Sequence, residues 1–90
     1  MADFKLDEEF RQRNRKHTKQ ERENLEILLQ EEGCIDHALT LAIIGKERIL
    51  CDGYTTYEIC KDKGIRLSDP RCLVFKDREA VMEWMDKRQR

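Results

Sequence analysis

Ninety residues leave room for one domain with one modest core, and 18 basic against 19 acidic side chains, together 41% of the chain, nearly cancel to a net charge of −1. That balance excludes a global field for nucleic acid, so any basic face has to be local. No apolar run approaches the roughly 20 residues needed to span a bilayer, and the start Met1–Glu9 lacks a signal peptide's apolar centre, which implies a cytoplasmic protein without membrane contact.

Residues 1–17 read as an N-terminal arm. Phe4, Leu6 and Phe10 are followed by Arg11-Gln12-Arg13-Asn14-Arg15-Lys16-His17, without one apolar residue. Two readings stay open: a flexible charged leader, or an arm whose aromatic residues dock on the core while the basic part is solvated. Arg11, Arg13, Arg15 and Lys16 could contact phosphate or an acidic protein, but no interleaved aromatics offer base stacking. Lys87, Arg88 and Arg90 close the chain, and termini of single domains often meet, so both ends together form a candidate basic patch for a protein or nucleic-acid partner.

Residues 18–90 read as the domain proper. Thr18-Lys19-Gln20-Glu21 is a capping box that starts a helix, with Leu25, Leu28 and Leu29 on its inner face and Gly33 as its stop. Ile27 points off that stripe, as a core-edge residue or a partner contact. Leu39–Ile44 and Arg48–Cys51 are β-favouring runs, implying a hairpin with the three-residue loop Gly45-Lys46-Glu47. A helix from about Tyr54 turns Thr56, Ile59 and Cys60 to one side and stops at Gly64. Ser68-Asp69-Pro70 breaks the chain before a strand at Cys72–Phe75. Asp77 caps a last helix with Val81, Trp84 and Met85 inward and Met82 nearer the surface. The expected fold class is α+β, in the order α-β-β-α-β-α after the arm.

The spacing of Cys34, Cys51, Cys60 and Cys72 does not form paired metal knuckles, and neither His17 nor His37 has a ligand-spaced partner. Cys51, Cys60 and Cys72 sit among apolar residues and read as reduced core thiols. No cofactor is implied. The most telling stretch is Asp52-Gly53-Tyr54-Thr55-Thr56-Tyr57-Glu58-Ile59-Cys60, a strand delivering a glycine turn onto a helix start. Backbone N–H groups and the helix dipole converge there on one spot suited to an anion. Asp52 is a turn former, or a magnesium ligand or general base with Glu58 as the one nearby acid in sequence. Thr55 and Thr56 are local hydrogen-bonders or weak phosphate contacts.

This junction resembles the signature of the ParB N-terminal-like and sulfiredoxin superfamily, in which a glycine, two variable residues and an arginine hold nucleotide phosphates. The likeness extends from Thr18 through Leu29–Cys34 and Ile35-Asp36-His37 to Phe75–Ala80 and Trp84. It is strongest towards small ParB-like proteins of plasmids, phages and integrated elements. Thr56 stands at the arginine position and Tyr54 at the sulfiredoxin cysteine, so the resemblance implies a degenerate site with weak or absent CTP or ATP binding. His37 replaces a usual proline, and Asp86-Lys87-Arg88-Gln89-Arg90 is the nearest match to a Glu-Asn-x-Gln-Arg motif. The implied function is non-catalytic binding or regulation of a protein or nucleic acid, with inhibition of host nucleic-acid-processing machinery as one form it could take. The alternative is a nucleotide switch or phosphoryl-transfer or nuclease enzyme that keeps phosphate through Arg48, Lys61 or Lys63.

Overall fold

The computed structural model describes residues 4–14 and 16–88. Arg15 and Arg90, two of the expected basic contacts, lie outside the described residues. Four helices, α1 (Glu8–Arg13), α2 (Lys19–Glu32), α3 (Tyr54–Lys63) and α4 (Arg78–Arg88), accompany three strands, β1 (Thr40–Ile44), β2 (Glu47–Asp52) and β3 (Arg71–Val74). The sheet is mixed, in the order β2-β1-β3, with β1 antiparallel to β2 and parallel to β3. A parallel pair needs a long crossover, and α3 with the segment 64–70 supplies it.

Local signals account for most element ends. The Thr18 hydroxyl accepts from the Glu21 N–H while the Glu21 carboxylate accepts from the Thr18 N–H, the reciprocal box that starts α2. Asp77 accepts from the Ala80 N–H at 2.9 Å and starts α4. The hairpin loop is tighter than its sequence suggests: Ile44 pairs with Glu47, so only Gly45 and Lys46 form the turn. A first turn residue with positive φ matches the strands' twist, and Gly45 supplies it at 61°.

The core joins Phe10, Leu39, Leu41, Ala42, Ile49, Leu50, Cys51, Tyr54, Val81 and Met85; a smaller cluster of Leu29, Ile59 and Cys60 lies between α2 and α3. Three expectations about burial change. Leu28 is 48% exposed, because α2 packs only along its Leu25–Leu29 edge. Cys72 is exposed, since β3 is an edge strand covered on one side by β1. Trp84 is half-buried at the core's rim, edge-on to Phe75 at 5.8 Å and beneath the Arg88 guanidinium at 4.8 Å, while Val81 and Met85 fill the interior.

The arm belongs to this core. Lys5 bridges to β2, its N–H donating to the Arg48 carbonyl and its carbonyl accepting from the Leu50 N–H, so residues 4–6 cover the outer edge of β2. Asp7 then caps α1, accepting from the Phe10 N–H at 3.1 Å, and Phe10 is fully buried. Both Asp7 oxygens take N–H groups of Arg78, at 2.8 and 3.1 Å, and Arg78 also reaches Glu9 and lies over the Phe10 ring. The docking reading of the aromatic residues is the one observed.

The Arg78 guanidinium holds the Asp7 carboxyl below its ordinary range, against a smaller opposing effect of burial. A depressed folded-state pKa contributes stability above the unfolded value near 4, and that contribution disappears as pH falls through the folded value. Asp7→Asn keeps a competent cap and removes the charge. It should cost about 1 kcal/mol at neutral pH, because Arg78 is partly exposed. Urea midpoints should show the difference between the two proteins shrinking below about pH 4; an equal difference at both pH values would assign it to something other than this charge.

Candidate functional site

The turn at Gly53 is where the sequence places phosphate chemistry, and β2 does hand over to α3 there, with Gly53 as N-cap at φ 91° and ψ 23°. This is left-handed backbone, which side chains with a Cβ rarely adopt. A Cβ on Gly53 would also stand 2.6 Å from the Ala38 carbonyl oxygen and 2.8 Å from Leu39 Cδ2. The close approach over this glycine is therefore made by the chain's own entry into β1.

The first N–H group of α3, one of those that would greet an anion, meets the arm instead. Asn14, at the end of α1, donates through Nδ2 to the carbonyls of Phe10 at 2.8 Å and Cys51 at 2.9 Å, and its Oδ1 accepts from the Tyr54 N–H at 3.5 Å. Thr55 Oγ1 lies 3.1 Å from His17 Nδ1. The arm thus supplies α3 with the polar cap that a glycine N-cap cannot provide.

Tyr54 is a buried latch. Its hydroxyl donates to the Leu50 carbonyl at 2.7 Å and accepts from the Asp7 N–H at 2.9 Å. Burial pushes the phenol up to about 12. The adjacent Cys51 thiol is likewise pushed up to about 12, and Cys60 to about 11, by burial, which makes both poor nucleophiles at neutral pH. Tyr54→Phe should destabilise by roughly 1–3 kcal/mol, since the Asp7 N–H loses its partner. Because the phenol's pKa is raised on folding, its contribution is present below about pH 10 and is lost as pH rises through about 12. Thermal melts of the two proteins should therefore converge in strong alkali, whereas a gap that widens there would contradict the latch.

The remaining expected residues are brought near one another, but each described arginine among them meets a carboxylate. Arg11 pairs with Glu58 on α3, which also lies 3.8 Å from Arg22. Arg13 is 3.4 Å from Asp86, and Arg88 is 3.4 Å from Asp52. Helices α1 and α4 do adjoin, and Arg11, Arg13 and Arg88 on them are drawn into internal pairs. Lys16 is exposed beside a cleft of about 580 Å³ that it lines with Arg11 and Thr55, and with the acids Glu8 and Glu58. Those carboxylates oppose a phosphate. Thr56 is half-buried in the first turn of α3, and Ile27 is 54% exposed on α2.

His37 has a backbone that proline could not supply. Its φ is 65° and its N–H donates to the Asp69 carbonyl at 2.9 Å. Proline, locked near −65° and without an N–H, could do neither.

Sequence reading missed Asp7, Asn14 and Arg78, the residues that close the turn and seat the arm. Asp7 followed by Glu8 and Glu9 is a helix-start signal that could have found α1. Nothing local marks Asn14. Among the described residues no group of three or more His, Cys, Asp or Glu could hold a metal ion, and no helix is long and apolar enough to cross a membrane. Comparison of the chain with protein-family models, curated proteins and solved structures finds no match.

Proposed function

We propose that this chain is a non-catalytic binding protein, a degenerate ParB-like domain of a mobile genetic element that regulates a protein partner. The observation carrying this reading is the turn's own packing: Asn14 accepts from the Tyr54 N–H, and the Ala38–Leu39 segment stands against Gly53 where a glycine-turn cradle would need open space. The cleft beside Thr55 is lined by the carboxylates of Glu8 and Glu58, which oppose a triphosphate, and Thr56 brings no charge in place of an arginine.

A protein partner suits the surface better than nucleic acid. Phosphates would have to displace Glu58, Asp86 and Asp52 from Arg11, Arg13 and Arg88. The neighbouring Ile27 and Leu28 leave a contiguous apolar spot on the outer side of α2. Regulation of a host nucleic-acid-processing machine through that face is the role this reading assigns.

Calorimetric titration of the unaltered chain with CTP and ATP in the presence of magnesium tests the first half. Gly53 variants are unsuitable there, because they perturb the fold. Losing a charge-assisted contact weakens binding by about ten- to a hundredfold, so no micromolar affinity is expected. Micromolar binding would replace this reading with the nucleotide switch. A labelled random-sequence DNA duplex tests the second half: steeply salt-dependent binding that Arg11→Glu with Arg13→Glu abolishes would move the function to nucleic acid.

A further inference from the structure

A cavity of about 640 Å³ lies away from the Gly53 turn, between the sheet, α3 and the segment 65–70. Its volume is in the range of small-molecule sites. One part of the wall is apolar and aromatic: Phe4 and Tyr57 meet edge to face at 5.6 Å, with Leu41, Ile65 and Leu67 beside them. The other part carries Arg48, Lys61 and Arg66, opposed by the single acid Asp69.

These three cations differ from those of α1 and α4. Among the described residues none of them has a carboxylate within 4.0 Å, whereas Arg11, Arg13, Arg78 and Arg88 all do. Arg48 and Lys61 instead have neutral neighbours. The Arg48 guanidinium contacts Cys72 Sγ at 3.8 Å, and Lys61 Nζ lies 3.4 Å from the Tyr57 hydroxyl and 5.7 Å from its ring centre. They are placed without being neutralised.

The rim is also built in advance. The Ile65 N–H donates to the Cys60 carbonyl, Ser68 Oγ to the Cys34 carbonyl, the His37 N–H to the Asp69 carbonyl and the Arg71 N–H to the Leu39 carbonyl. Four anchors over seven residues hold this segment without any ligand, so little ordering cost would attend binding.

We propose that this cavity binds a small organic anion, with a phosphate or carboxylate head held by Arg48, Lys61 and Arg66 and an aromatic body laid against Phe4, Tyr57 and Leu41. The site is separate from the Gly53 turn and from the outer side of α2, so it stands or falls independently of the macromolecular partner.

The test is amide-shift mapping of the 15N-labelled full chain with phenyl phosphate, phenylacetate and inorganic phosphate. Expected are saturable shifts at residues 57–71 with an aromatic anion, at least about tenfold weaker binding of inorganic phosphate, and a loss of about tenfold or more in Arg48→Gln with Arg66→Gln. Whether phenyl phosphate or phenylacetate binds more tightly identifies the head group. Both arginines are exposed, so the double variant should retain the native spectrum, which the same measurement verifies. Phe4→Ala, which keeps every charge, should weaken the aromatic anions and leave inorganic phosphate unchanged. Shifts centred on residues 53–56, equal binding by the double variant, or no saturable shift with either aromatic anion would each overturn the proposal.

Discussion

Gly53→Ala should destabilise the protein by about 2–5 kcal/mol, combining the cost of a left-handed non-glycine residue with that of forcing apart packed atoms. The first contribution comes from φ 91°, and the second from the 2.6 Å approach of a Cβ to the Ala38 carbonyl oxygen, a backbone atom that no rotamer change can move away. Gly64 is the internal control. It ends α3 at φ 69° with nothing within 4 Å of its would-be Cβ, so Gly64→Ala should cost only about 1 kcal/mol. Urea denaturation of both variants separates conformation from crowding. Equal costs would show that the contact with residues 38–39 yields freely, and would reopen the space above the turn to a ligand.

Phe10→Ala should be comparably severe, at roughly 3–5 kcal/mol, the range for truncating a fully buried aromatic side chain. That is a large part of the stability of a small domain. The ring has no exposed surface, packs with the sheet and α4, and carries the Arg78 guanidinium 4.6 Å from its centre. Its removal would loosen the Asp7–Arg78 pair, the Asn14 cap on α3 and the strip covering β2 together, since all three hang on the seating of α1. Arg11→Glu and Arg13→Glu, on the same helix, break solvent-accessible ion pairs and should each cost less than about 1 kcal/mol. A Phe10→Ala cost as small as those would return the arm to the status of a detachable leader.

The surfaces of the protein divide by role. At the Gly53 turn Asn14 takes the Tyr54 N–H, and α1 is joined to α4 through paired charges, while Arg48, Lys61 and Arg66, which meet no carboxylate among the described residues, gather around a cavity with an aromatic wall. Residues singled out for chemistry at the turn, Tyr54 above all, hold the arm to the domain.

The elements legible from sequence were those whose determinants lie within a few residues. The Thr18–Glu21 box, the Asp77 cap, the stop at Gly64 and the apolar runs of β1 and β2 each carry their own hydrogen-bonding or packing rule. The exposure of Ile27 was equally visible in the helical spacing, while that of Leu28, one residue on, depended on how α2 is set against α3. Helical periodicity defines a stripe; its width is decided by the partner. Only the tertiary structure could place the arm, because its contacts join residues 47 and 71 positions apart, Asp7 to Tyr54 and Asp7 to Arg78. The same holds for the candidate site. A glycine between a strand and a helix reads as a cradle for an anion, and what fills that cradle is decided by Asn14, forty residues from Tyr54, a side chain whose role exists only once the arm has folded back.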